Sequence, residues 1–210
     1  MPQKVRSFLF LDIETTGNEP LRLVNGSLSA WHEIIEIGGV VARQGDLSPL
    51  QMFNIKVHPE HLEHGDEDAW KINGYPRRAA AGEWDRALSL KEAIGTLLRF
   101  IQEDGGPVLL VGHNFFFDWT FIVIALALAG IQEAELASYV HYTKLDTRSM
   151  AVGTLLKPGE LYDPGDYSIR NNKIAKLLGI PPEPYPHQAL GGAKQSYFIF
   201  KKLLELKGGQ

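Results

Sequence analysis

The segment FLFLDIETTG, Phe8 to Gly17, constrains the fold more than any other part of the chain. Its leading residues, Phe8, Leu9, Phe10 and Leu11, are all apolar. Such a run predicts a strand buried on both faces, which needs a sheet covered by helices on each side. Asp12 and Glu14 follow directly. On a strand, residues i and i+2 point to one side, so both carboxylates face one spot. Like charges held that close repel and raise each other's pKa unless a cation sits between them, and a divalent metal ion is the usual solution. Thr15, Thr16 and Gly17 are small and let a ligand or another backbone segment approach. An isolated D-x-E is more often a strand ending in a polar turn, so the rest of the chain must decide.

The chain has 210 residues, 44% of them apolar and 22% charged, which predicts one domain over residues 1–210 with a large core. There are no cysteines, which excludes disulfides and thiolate metal sites and fits a cytoplasmic location. The N-terminus runs straight into the first strand without a long apolar signal region. The longest apolar run, Phe121 to Ile131, is far shorter than the ~20 residues of a membrane span, so no membrane partner is expected. A net charge of −4 argues against coating nucleic acid by bulk electrostatics. It leaves room for an enzyme that grips a few phosphates through metals bound by acidic side chains.

Along the chain, 18–31 reads as a loop, His32 to Arg43 as a second strand and Gln51 to Pro59 as a third, turned at Gly45-Asp46. The polar stretch holding His58, His61 and His64 has almost no apolar residues to fix ligands and reads as a solvated loop. Ser89 with Glu92 is a capping-box pattern opening an amphipathic helix to Glu103. Pro107 to Asn114 is a buried strand, and the helix before it makes it parallel to the first. A helix apolar nearly all round then runs from Phe115 to Ala129. Further helices are predicted from Leu145 to Leu156, from Ser168 to Leu178 and from Ala189 to Leu206, with a loop over 157–166. The last helix is expected to bury Ala193, Tyr197, Phe198 and Leu204.

Asp118 is the one charge in the apolar helix, costly to bury unless paired or metal-bound. The topology brings it to the sheet edge where Asp12 and Glu14 emerge. His187 follows Pro186 on the lead-in to the last helix, where an imidazole can take a proton from water.

These residues together resemble the DEDD 3′–5′ exonuclease superfamily, which has the DnaQ-like, ribonuclease H-like fold. LDIETTG is similar to its first motif, GHNFFFDWTFI to its second, and the section from SIRNNKIAKLLG through His187 to its closing part. The likeness covers nearly the whole chain. It implies an α/β fold with a mixed five-stranded sheet flanked by helices. By resemblance, Asp12, Glu14 and Asp118 are metal ligands, His187 is the general base, and Thr15, Thr16 and Asn114 bind substrate. Phe116, Phe117 and Tyr75 are candidates to stack on a base.

The histidine (DEDDh) branch places its last metal-binding aspartate five residues after the histidine; here that position is Gly192. Two divalent ions, Mg²⁺ or Mn²⁺, are expected in the family; with one carboxylate missing the second should bind weakly. Gly191-Gly192 also lies where a helix is predicted, at a cost of ~1 kcal/mol per glycine, with no stability rationale in the sequence. The implied function is hydrolysis of the terminal phosphodiester of single-stranded DNA or RNA, the partner being nucleic acid with a free 3′ end. The alternative is a module of the same fold that holds a 3′ end and hardly cuts it. No feature of the sequence selects a polymerase or other protein partner.

Overall fold

Strand β1, Ser7–Thr15, is the central strand of a five-stranded sheet in the computed structural model, which describes residues 5–103, 107–155 and 171–208. The other strands are β4 (Ile34–Arg43), β5 (Pro49–Lys56), β6 (Val108–Gly112) and β7 (Val140–Asp146), in the order β5-β4-β1-β6-β7. β4 pairs antiparallel with β1 and β5, whereas β6 runs parallel to β1 and β7 parallel to β6. The mixed sheet thus has the composition the sequence predicts. Its fifth strand, β7, has no clear apolar alternation and merges in sequence with the helix after it.

Helices cover both faces. Leu9, Leu11 and Ile13 of β1 pack with α3 (Leu90–Glu103) and α4 (Phe116–Leu128). Phe8 and Phe10 point the other way, onto Tyr197 and Phe200 of α7 (Ala189–Gly208). Beside α7 lie α5 (Thr147–Leu155) and α6 (Asn171–Leu177). Phe10 is fully buried, and removing a side chain of that size from water contributes roughly 1.5–3 kcal/mol. α7 can sit this close because β4 offers Gly38: a Cβ there would overlap the backbone of Ala189 and Leu190.

Three expectations change. The segment 18–31 is not a plain loop: β2 (Leu21–Val24) and β3 (Ser27–Ala30) form a hairpin around Asn25-Gly26, both at positive φ. The inner side of α7 keeps Ala193 and Tyr197, but Phe198 and Leu204 are exposed, and Ile199, Phe200 and Leu203 are buried instead. The histidine stretch is partly ordered by stacking, with His64 lying on Trp31 at 3.9 Å between ring centroids. It leads into α1 (Glu67–Asn73), which Asp66 caps, and then α2 (Tyr75–Ala80). The capping box of Ser89 and Glu92 forms as the sequence predicts. The loop over 157–166, residues 168–170 and Gly105-Gly106 lie outside the described residues. Among the described residues no helix is long and apolar enough to cross a membrane.

Candidate active site

Asp12 and Glu14 continue the face of β1 that carries Phe8 and Phe10, so they emerge beside the start of α7. A Cβ on Gly192 would overlap the Asp12 carboxylate, which places that glycine directly against the acid. Asp118 arrives from the opposite layer. β6 ends at Gly112, the chain turns through Asn114 at φ +57°, and α4 begins at Phe116 with Asp118 in its first turn. The Ile13 backbone N–H, between the two acids of β1, donates to Asp118 Oδ1 at 3.0 Å. Three carboxylates from two distant segments are therefore brought together.

His187 sits on the lead-in to α7, held by its backbone. Its N–H donates to the Ile72 carbonyl at 3.0 Å, and its carbonyl accepts from Arg78 at 3.3 Å. One imidazole nitrogen, Nε2, is buried without a hydrogen-bond partner. Glu183, which sequence reasoning passed over, joins the group. Ligand atoms of Glu14, Glu183 and His187 all lie within 4.8 Å of one another. The signal that could have revealed it is the segment PPEPYPHQ, in which Glu183 is the one carboxylate, stiffened by four prolines and four residues before the histidine.

Electrostatics follow from that crowding. Burial, reinforced by Asp118, Glu14 and Glu183, pushes the Asp12 carboxyl well above its ordinary range. Burial and the facing Glu183 push Glu14 up to about 8. Burial, helped by the charge of Asp146, outweighs the backbone hydrogen bonds led by that from Ile13 and raises Asp118 to about 8. Glu183 rises to about 7, again chiefly through burial. Burial lowers His187, leaving its neutral, proton-accepting form dominant near pH 7. Glu14 is nine-tenths buried, yet its carboxylate accepts no hydrogen bond from any described residue. Buried acids crowded together, with a single short donor to Asp118 and none to Glu14 among the described residues, fit a divalent cation with oxygen ligands.

The other predicted residues are placed differently. Thr15 donates its hydroxyl to the Gly17 carbonyl at 2.7 Å, and the Thr16 hydroxyl accepts from the Glu33 N–H at 2.8 Å, so both side chains brace the turn after β1. Asn114 is exposed; its N–H donates to Asp146 at 2.7 Å and its side-chain oxygen accepts from Arg148 at 3.3 Å. Of the stacking candidates, Tyr75 is buried between Trp70 and Trp84, and Phe117 packs on Phe121. Phe116 alone of the three is open, at 82% exposure.

A family model described as an exonuclease matches residues 9–200. The PolC-type DNA polymerase III of Listeria monocytogenes is 28% identical over 200 residues, covering 95% of this chain and 11% of the polymerase. The chain thus spans about a tenth of the length of the polymerases it matches. Ribonuclease T of Klebsiella pneumoniae is 24% identical over 147 residues, 68% of this chain and 65% of that enzyme. Among solved structures, Escherichia coli exonuclease I in complex with a dT13 oligonucleotide superposes with a TM-score of 0.70 at 18% identity, over 95% of this chain and 41% of that one. The nuclease domain of 3′hExo, a DEDDh family member bound to rAMP, gives 0.70 at 17% identity, over 96% and 92%.

Proposed function

The chain belongs to the RNase T exonuclease family, and from that premise we propose that it removes nucleotides from the 3′ end of single-stranded DNA or RNA with a divalent metal, Mg²⁺ or Mn²⁺. The observation that carries this reading is the meeting of Asp12, Glu14 and Asp118 at the end of β1, with Asp118 anchored on the Ile13 N–H. Asp12, Glu14 and Asp118 would hold the metal. When bound, paired metal ions supply Lewis-acid stabilisation of the attacking and leaving oxygens in an in-line phosphoryl displacement.

The chain's own residues supply the rest. His187, kept neutral by its burial, accepts the proton of the attacking water. Its backbone is fixed by Ile72 and Arg78, so the ring presents Nε2 from a held position. The Arg78 guanidinium belongs to a network with Glu36 and Glu83 and positions His187 without facing the substrate. The braced turn at Thr15 and Thr16 and the exposed Asn114 form the rim against which a terminal nucleotide would lie. Phe116 offers a ring for stacking on a base.

The missing aspartate at position 192 favours a second reading, in which a 3′ end is held and hardly cut. Both are tested with 5′-labelled single-stranded DNA and RNA in Mn²⁺, following wild type and Asp12→Asn. Stepwise shortening from the 3′ end that disappears in the variant supports the nuclease. Tight binding of the strand without shortening supports the module, and neither binding nor cleavage removes both.

A further inference from the structure

We propose that Glu183 supplies the carboxylate that position 192 lacks, acting as a metal ligand together with Glu14. The inference rests on the exonuclease reading and concerns where its last acidic ligand comes from. Glu183 is reached from outside α7, on the proline-rich lead-in, rather than from the first turns of the helix.

Four observations carry it. The Glu183 side chain is only 7% exposed, and its carboxylate lies within 4.8 Å of ligand atoms of both Glu14 and His187. Its contacts are too weak to neutralise a buried charge: the Gln188 N–H donates to it at 3.4 Å and His187 Nδ1 stands at 3.6 Å. Arg78 and Lys56 are occupied by Glu36 and Glu83. Independently, the nine-tenths buried Glu14 carboxylate has no donor among the described residues, and His187 Nε2 is buried and unpartnered. The Glu14 carboxylate and the His187 ring both neighbour Glu183, each with a ligand atom within 4.8 Å of it.

The two glycines then acquire a reason. A Cβ on Gly191 would stand 2.8 Å from Glu183 Oε1, and one on Gly192 would overlap Asp12 Oδ2. A side chain at either place would make the flexible carboxylate it meets swing aside within the cluster. The helix start is cleared so that Glu183 can reach past it. The Glu183 backbone is tied by its own N–H to Asn172 Oδ1 at 2.8 Å, so the carboxylate is delivered from a fixed point.

The test is Mn²⁺ binding to the whole chain, by titration calorimetry and by loss of the free-Mn²⁺ paramagnetic resonance signal. Wild type, Asp12→Asn, Glu183→Gln and the double variant Glu183→Gln with Gly192→Asp are compared, each with a melting curve as a folding control. A lost ligand should weaken Mn²⁺ by about tenfold or more, since loss of a supporting partner alone costs about that. The aspartate in the double variant should return affinity to within about threefold of wild type, a difference under 1 kcal/mol. If Glu183→Gln melts early, Glu183→Asp, one methylene too short, gives the same comparison. Unchanged Mn²⁺ affinity in Glu183→Gln, with binding lost in Asp12→Asn, overturns the inference and leaves the nuclease reading standing. So does a variant that shifts only the pH profile of cleavage, which would make Glu183 an orienting partner of His187. A wild type that binds no Mn²⁺ ends both.

Discussion

Glu14 and Glu36 sit opposite each other in the register of β1 and β4, both buried, and they have opposite surroundings. Glu36 accepts from Asn54 at 2.7 Å and Lys56 at 2.8 Å, and pairs with Arg78 at 3.3 Å. Glu14 accepts from nothing described and shares its space with Asp12, Asp118 and Glu183. One region of the sheet face neutralises its acid with the chain's own cations. The other gathers acids and leaves their charge for something from outside. A chain selected for stability alone would treat the two alike, because an unpaired buried carboxylate costs free energy that no packing returns. The unpaired side is therefore where function should be sought.

Removing an acid from the unpaired side should have the largest effect. Asp12→Asn should lower cleavage of a single strand by about 10³-fold or more, because a metal ligand acts on the transition state and not only on binding. Steady-state rates in Mn²⁺ check this. Next in size is the paired side. Arg78→Met leaves Glu36 with one cation and cuts the tie to His187, and breaking a buried ion pair costs about 3–5 kcal/mol. Urea unfolding should show that loss. Removing charge should also act with opposite sign at the two glutamates: Glu36→Gln lowers the metal-free melting temperature, whereas Glu14→Gln raises it at pH 8.

The paired and unpaired regions were also unequally legible in the sequence. Asp12, Glu14 and Asp118 could be placed because each sits at a fixed step from a buried, periodic element: the β1 run, and the β6–α4 crossover with its single charge. The parallel crossover fixes which edge they share. Glu36 is hidden inside EIIEIGGVV, where strand alternation hides that it faces inward, and its partner Arg78 comes from a helix 42 residues on. Glu183 depends on how a proline-rich segment bends over α7, which local pattern does not encode. β7 was obscured because VHYTKLD is half-exposed at the sheet edge and carries no apolar period. The β2–β3 hairpin had its Asn25-Gly26 turn signal, but its strands are mostly exposed and without a buried stripe.

A smaller effect separates the two regions by pH. Glu14 and Asp118 titrate near 8 and Glu183 near 7 in the folded chain, against about 4 when unfolded. Between about pH 4.5 and 8 the folded state therefore holds more protons than the unfolded one, and metal-free stability falls as pH rises. A divalent ion replaces those protons, so its stabilisation should grow from pH 5.5 to pH 8. At a hundredfold excess over Kd it is worth about 2.7 kcal/mol, or about 5–10 °C in a chain of this size. Melting curves with and without Mn²⁺ at the two pH values read it directly. Equal shifts at both would mean the acids are not where the ion binds.

The smallest expected effect lies at the exposed start of α4. Phe116 stands two residues before Asp118 and leaves most of its ring in water, while its neighbour Phe117 packs on Phe121 at 5.0 Å between centroids. An exposed ring contributes little to folding, so Phe116→Ala should leave the melting temperature within the scatter of surface substitutions, about 0.5 kcal/mol. If a base stacks there, the same change costs about 1–3 kcal/mol of strand affinity, read as a KM raised about tenfold with kcat nearly unchanged. Phe117→Ala should do the reverse, lowering stability by opening the core and leaving KM alone. The pair separates surface from fold: adjacent phenylalanines, one open to solvent and one packed against the core, should move different observables.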